Sequence, residues 1–149
     1  MLFSFLFGLA AHAGELHYDW TWETSPDIEI CPDSRIETND VVENLSYWFD
    51  RGVYVKIDSI QKVDHCNLNK MNVIQISGAT DFDRRAYHAV TTTKWYFYGK
   101  RNQNTPLYID RAIIKIPNDK LDNQGVVLHE FGHALGLGHS HDSIMKATH

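Results

Sequence analysis

The eleven residues from His129 to His139 read His-Glu-Phe-Gly-His-Ala-Leu-Gly-Leu-Gly-His, and they constrain this chain more than any other stretch. They overlap Leu121 to Leu135, a segment with the length and composition of a helix and with Asn118 or Asp119 as candidate caps. On a helix, His129 and His133 lie one turn apart, so their imidazoles project from one face and can bind a single ion as neutral nitrogen ligands. Glu130 stands beside them, placed to take a proton without occupying a ligand position. A straight helix would carry the chain away from that ion. Gly136 can adopt the left-handed conformation that ends a helix and turns it sharply, which returns His139 to the same point.

Three imidazoles with a fourth position left open are the donor set of a hydrolytic zinc ion rather than a structural one. Raw affinity would favour copper, so zinc is expected on grounds of availability and geometry. Nine histidines in 149 residues place some on helix faces by accident. Five fixed positions in eleven residues, however, arise by chance in roughly one such chain in ten thousand at this composition. The sequence therefore predicts one catalytic zinc ion on His129, His133 and His139, with Glu130 as the catalytic general base. The reaction this supports is hydrolysis of a peptide bond in a protein or peptide substrate by a water activated at the metal. Two alternatives stay open from the residues alone: a non-catalytic zinc-containing binding module, and a hydrolase of a non-protein amide.

The extended motif resembles the metzincin clan of zinc peptidases. Phe131-Gly132 inside the motif and Ser140 directly after the third histidine look most like the matrixin-type branch. Ser143-Ile144-Met145 is similar to that clan's Met-turn, which implies that Met145 forms an apolar floor beneath the histidines without binding zinc. The resemblance also implies an α/β (α+β) fold: a mixed, mostly parallel five-stranded sheet with an early helix and an active-site helix. In such a fold the fourth strand is the antiparallel edge, where an extended substrate can pair by strand addition. This chain departs from the matrixin pattern at several points. The step from His139 to Met145 is six residues (145 − 139), and four residues follow Met145, so a very short C-terminal subdomain is expected. No Pro-Arg-Cys-Gly segment, matrixin-like second zinc site or evident calcium loop is found, and His65, His88 and His141 read as surface or satisfied histidines.

Periodicity along the rest of the chain agrees with that order of elements. Asp27 to Ile30 reads as a short strand ended by Cys31-Pro32. Val41, Val42, Leu45, Trp48 and Phe49 recur at helical spacing behind Asp33 or Thr38 as candidate caps, and Arg51-Gly52 supplies the stop. Val53, Val55 and Ile57 alternate as a strand, Val73 to Ile76 reads as a third, and Ala89 to Tyr98 and Ile109 to Ile116 as two more. Asn44-Leu45-Ser46 matches a glycosylation acceptor but falls inside the predicted helix.

Composition bounds the partners. A 22% charged and 43% apolar chain is that of a soluble globular protein, and a formal charge of −5 is too small and interspersed for a nucleic-acid or anionic-membrane binder. The length suits one domain, residues 14–149, read as a single zinc metallopeptidase unit with a monomer expected. Leu2 to Ala11 is an apolar run ending in Ala11-His12-Ala13, so residues 1–13 read as a signal peptide for a secreted or periplasmic protein, although no Lys or Arg precedes the run. The run is about half the roughly 20 residues of a membrane-spanning helix, so no stable membrane anchor is expected. The other reading is an apolar N-terminal strand or helix packed on the domain. Cys31 and Cys66 are the only cysteines and favour one disulfide in an exported protein, against two thiols in a reducing cytosol.

Overall fold

Ile28 and Ile30, Ile74 and Ile76, and Ala112 and Ile114 occupy matching register positions on three neighbouring parallel strands and are almost wholly buried on one face. β-Branched residues fit such a pleated surface, and the face they build is the floor of the core. The computed structural model describes residues 16, 18–78, 89–100, 102, 104–141 and 144–146. In chain order the elements are β1 (Thr21–Trp22), β2 (Asp27–Ile30), α1 (Thr38–Phe49), β3 (Ile60–Lys62), β4 (Val73–Ser77), β5 (Val90–Tyr96), β6 (Tyr108–Lys115) and α2 (Gln124–Ala134). The strands lie in the order β3-β2-β4-β6-β5. The first four of these run parallel and β5 is antiparallel at the edge.

The sheet has six strands where five are expected. The added one, β1, is only two residues long and pairs in parallel with Tyr108 and Ile109 at the start of β6. Such a strand has no periodicity to read; it exists because tertiary contacts hold it. The strand expected over Val53 to Ile57 also lies elsewhere, at Ile60–Lys62. Val53 is buried, and Val55 and Ile57 line an apolar groove of about 420 Å³ with Leu45 and Phe49 of α1. Their alternation records contact with a helix rather than pairing with a strand.

α1 and α2 pack on the isoleucine face and on each other. Val41, Leu45 and Trp48 of α1 meet Val127 and Phe131 of α2 in the core, and the Trp48 indole N–H donates to Leu128 O at 2.9 Å. At the start of α1, the Asp40 side chain reaches back to accept the Glu37 N–H at 2.9 Å, a reciprocal cap in place of the Asp33 or Thr38 cap expected. Asn44 is buried and donates to Asp40 O at 2.7 Å, so it is packed away from any glycan. Among the described residues no helix is long and apolar enough to cross a membrane.

The opposite face of the sheet is polar and covered by the loop over residues 63–72. Lys70 pairs with Glu29 at 2.5 Å, Gln75 donates to Glu29 at 2.9 Å and to Asn67 O at 3.1 Å, and Arg111 donates to Leu68 O. The Cys31–Cys66 disulfide, with Cα atoms 5.5 Å apart, ties this loop to the end of β2. Closing a 35-residue separation restrains the unfolded chain by roughly 4 kcal/mol in the chain-entropy model. Replacing both cysteines with serine is expected to lower Tm by about 10 °C. Calorimetry on the pair of proteins checks this, and an unchanged Tm would mean that the loop's polar contacts hold it unaided.

Candidate metal centre

The site is built on α2 and on the turn that ends it. Asn123 caps the helix by accepting the Val126 N–H at 3.3 Å; residues 118–120, where the cap was expected, form a separate single turn instead. At the other end Leu135 is the last half-helical residue and Gly136 has φ 102°. The Leu137 N–H bonds Gly132 O at 2.9 Å and the Gly136 N–H bonds His133 O at 3.0 Å, the paired 6→1 and 5→2 bonds of a Schellman turn. Leu137, fully buried, supplies the apolar contact that accompanies such a turn. The chain thereby doubles back and brings His139 beside the helix face that carries His129 and His133.

The three imidazoles converge through one type of atom. His133 Nε2 lies 3.0 Å from His129 Nε2 and 3.2 Å from His139 Nε2. The Nδ1 atoms of His129 and His133 face the carbonyl oxygens of Ile144 at 2.7 Å and Leu137 at 2.8 Å. A carbonyl only accepts, so each Nδ1 carries the proton and each Nε2 presents a lone pair. Burial lowers the His133 pKa, its bond to Leu137 opposing this in part, which favours the neutral ligand form. Tetrahedral bonds of about 2.0 to 2.1 Å require nitrogens about 3.3 Å apart, and the 3.0 and 3.2 Å separations from His133 lie within a few tenths of an ångström of that, with all three ligand atoms inside 4.8 Å of one another. Among the described residues no other group of three or more metal-binding side chains comes together. His65 and His141 are exposed and apart, and His88 lies outside the described residues.

Glu130 points sideways from the triad toward β5. The Thr91 hydroxyl donates to its Oε2 at 2.7 Å and lies 2.9 Å from its backbone oxygen. Burial raises the Glu130 pKa above the ordinary carboxylate range, while the Thr91 bond and the charge of His129 pull it back.

Met145 is buried beside α2. A Cβ on Gly132 would come within 2.5 Å of its sulfur and 2.9 Å of the Trp48 ring, so glycine is what admits both side chains beneath the helix. The Ser140 N–H bonds Met145 O at 3.0 Å, and Ile144 O receives the His129 proton. Residues 144 and 145 are thus stitched by backbone to the flanks of two triad histidines. Ser143, the first residue of the expected Met-turn, lies outside the described residues.

The segment over residues 18–22 straps the turn from the other side. Asp19 and Trp20 donate N–H bonds to Gly136 O at 3.0 and 3.3 Å, Tyr18 bridges Leu137, and the Trp22 indole donates to Ala134 O at 2.9 Å. These bonds satisfy helix-end carbonyls that would otherwise lack partners. Neither the strap nor Thr91 is evident from the sequence. Both are joined to the motif only by the fold, and Thr91 is one of three consecutive threonines.

A mostly parallel sheet with one antiparallel edge strand, two helices on one face and a three-histidine centre on a glycine-ended helix make up a metzincin-like fold. The sequence model of the matrixins matches residues 11–149, and the chain belongs to the matrixin family. That membership places it among zinc metalloproteases. Comparison with curated proteins gave no match, and comparison with solved structures gave none.

Proposed function

We propose that this chain is a zinc-dependent endopeptidase in which His129, His133 and His139 hold one zinc ion and Glu130 is the general base. The convergence of three Nε2 atoms beside a buried carboxylate carries the reading. The ion that His129, His133 and His139 would hold would supply Lewis acidity toward the scissile carbonyl and toward water. Glu130 takes the water's proton and delivers it to the departing amine, its carboxylate held by the Thr91 hydroxyl. The Nδ1–H bonds of His129 and His133 fix ring orientation and tautomer. Met145, packed under Gly132, fits the role of an apolar floor. β5 pairs with β6 alone among the described strands, so its outer edge can receive an extended peptide by backbone hydrogen bonds.

Incubation of the zinc-loaded chain with a diverse peptide library is expected to give internal cleavage that a zinc chelator abolishes and added zinc restores. Silence with zinc bound would overturn the endopeptidase reading. The disulfide supports an oxidising destination, secreted or periplasmic, and with it the removal of residues 1–13, which lie outside the described residues. Sequencing the N-terminus of the exported protein tests that step.

A further inference from the structure

We propose that Thr91 is the positioning residue of the general base, and that through it the edge strand that receives the substrate sets the aim of Glu130. This rests on the endopeptidase reading above. Exposure alternates along the first part of β5: Val90 and Thr92 face outward, and Thr91 and Thr93 are half-buried. Thr91 touches Glu130 of α2 at both ends, with its hydroxyl 2.7 Å from Oε2 and 2.9 Å from the backbone oxygen.

A hydroxyl has one proton to give. The backbone oxygen of a mid-helix residue already accepts a helical N–H, so the proton goes to the carboxylate, where the bond is charge-assisted and stronger. A glutamate side chain turns about three torsions, and a contact at each end of the residue fixes the set between them. Oε2 is thereby held against the strand, and Oε1 is left for the reacting molecules. Because the anchor sits on β5 rather than on α2, a shift of the edge strand when a peptide pairs with it is passed directly to the base. The His129 and His133 orientations rest instead on Ile144 and Leu137.

Two variants separate the hydroxyl from the bulk of the side chain. Thr91→Val keeps the β-branched shape and removes the donor; Thr91→Ser keeps the donor. In the full zinc-loaded chain, Thr91→Val is expected to lower kcat by about 10- to 100-fold, with KM and bound zinc unchanged, and Thr91→Ser to stay within about threefold of wild type. A second readout does not depend on turnover. Thermal denaturation of Thr91→Val, Glu130→Ala and the double variant is expected to give non-additive Tm shifts, because the two side chains share one bond. Wild-type kcat in Thr91→Val, a Thr91→Ser as impaired as Thr91→Val, or additive Tm shifts would overturn the inference while leaving the endopeptidase reading in place. If the wild-type chain cleaves nothing, both fall as statements about catalysis, and the Tm cycle still reports whether the pair is coupled.

Discussion

Replacing Glu130 with glutamine is expected to leave zinc bound in full and to lower turnover by about 10²- to 10⁴-fold, the range that a positioned general base contributes. The separation of the two effects follows from geometry. The converging atoms are the three Nε2 nitrogens, whereas the Glu130 carboxylate is directed at Thr91. A glutamine has the same volume, and its amide nitrogen can donate to the Thr91 oxygen, so the buried contact reverses direction without leaving an unpaired group. What is lost is the capacity to accept and return a proton. Glu130→Ala is expected to show the same loss, with the Thr91 hydroxyl left without its partner. Zinc content by mass spectrometry and initial rates on one cleaved peptide measure both quantities, and full activity in the glutamine variant would sink the mechanism.

Gly136→Ala is expected to cost about 2 to 4 kcal/mol of stability and to weaken metal binding by about 10- to 100-fold. Two independent penalties meet at this position. With φ 102° the backbone lies where a side chain is strained, which costs about 1 to 2 kcal/mol. A Cβ there would also stand 2.3 Å from the Trp20 backbone oxygen, so the strap must retreat and loosen its bonds to Gly136 O. The metal is affected because the turn returns His139 to the helix. A shift of a few tenths of an ångström disturbs a cluster in which His133 Nε2 lies 3.0 and 3.2 Å from the other two. Competition with a chromogenic chelator gives the affinity and calorimetry the stability. Unchanged zinc affinity with lowered Tm would show that His139 is held by residues after it, through the Ser140 bond to Met145, rather than by the turn.

The three-histidine cluster was legible in the sequence because its parts are local. Two histidines at helical spacing, a glycine that ends the helix and a third histidine three residues on fix one another's positions within a few turns of chain, and the structure brings their Nε2 atoms together. The parallel strands around Ile28, Ile74 and Ile114 were legible because buried strands need β-branched runs. What escaped depends on contacts between distant residues. Alternating Val53, Val55 and Ile57 face α1, a placement periodicity cannot tell from strand pairing. Trp22 looks like any aromatic until its indole is seen under Ala134 O. Thr91 is indistinguishable in sequence from Thr92 and Thr93; alternation could have divided the three between faces, but nothing local says which one meets Glu130.

The strap has a consequence for when the centre can form. Trp22 and Ala134 are 112 residues apart, and Asp19 and Trp20 must find Gly136 across a similar span. Contacts that distant in sequence close late in folding. During synthesis, the sheet can form and bury Trp48 only provisionally, since α2 and its turn are made after every strand of the sheet. Under the proposed function, the complete centre therefore forms only after residues 18–22 have closed on residues 134–137, so a half-made chain has no finished site to act with.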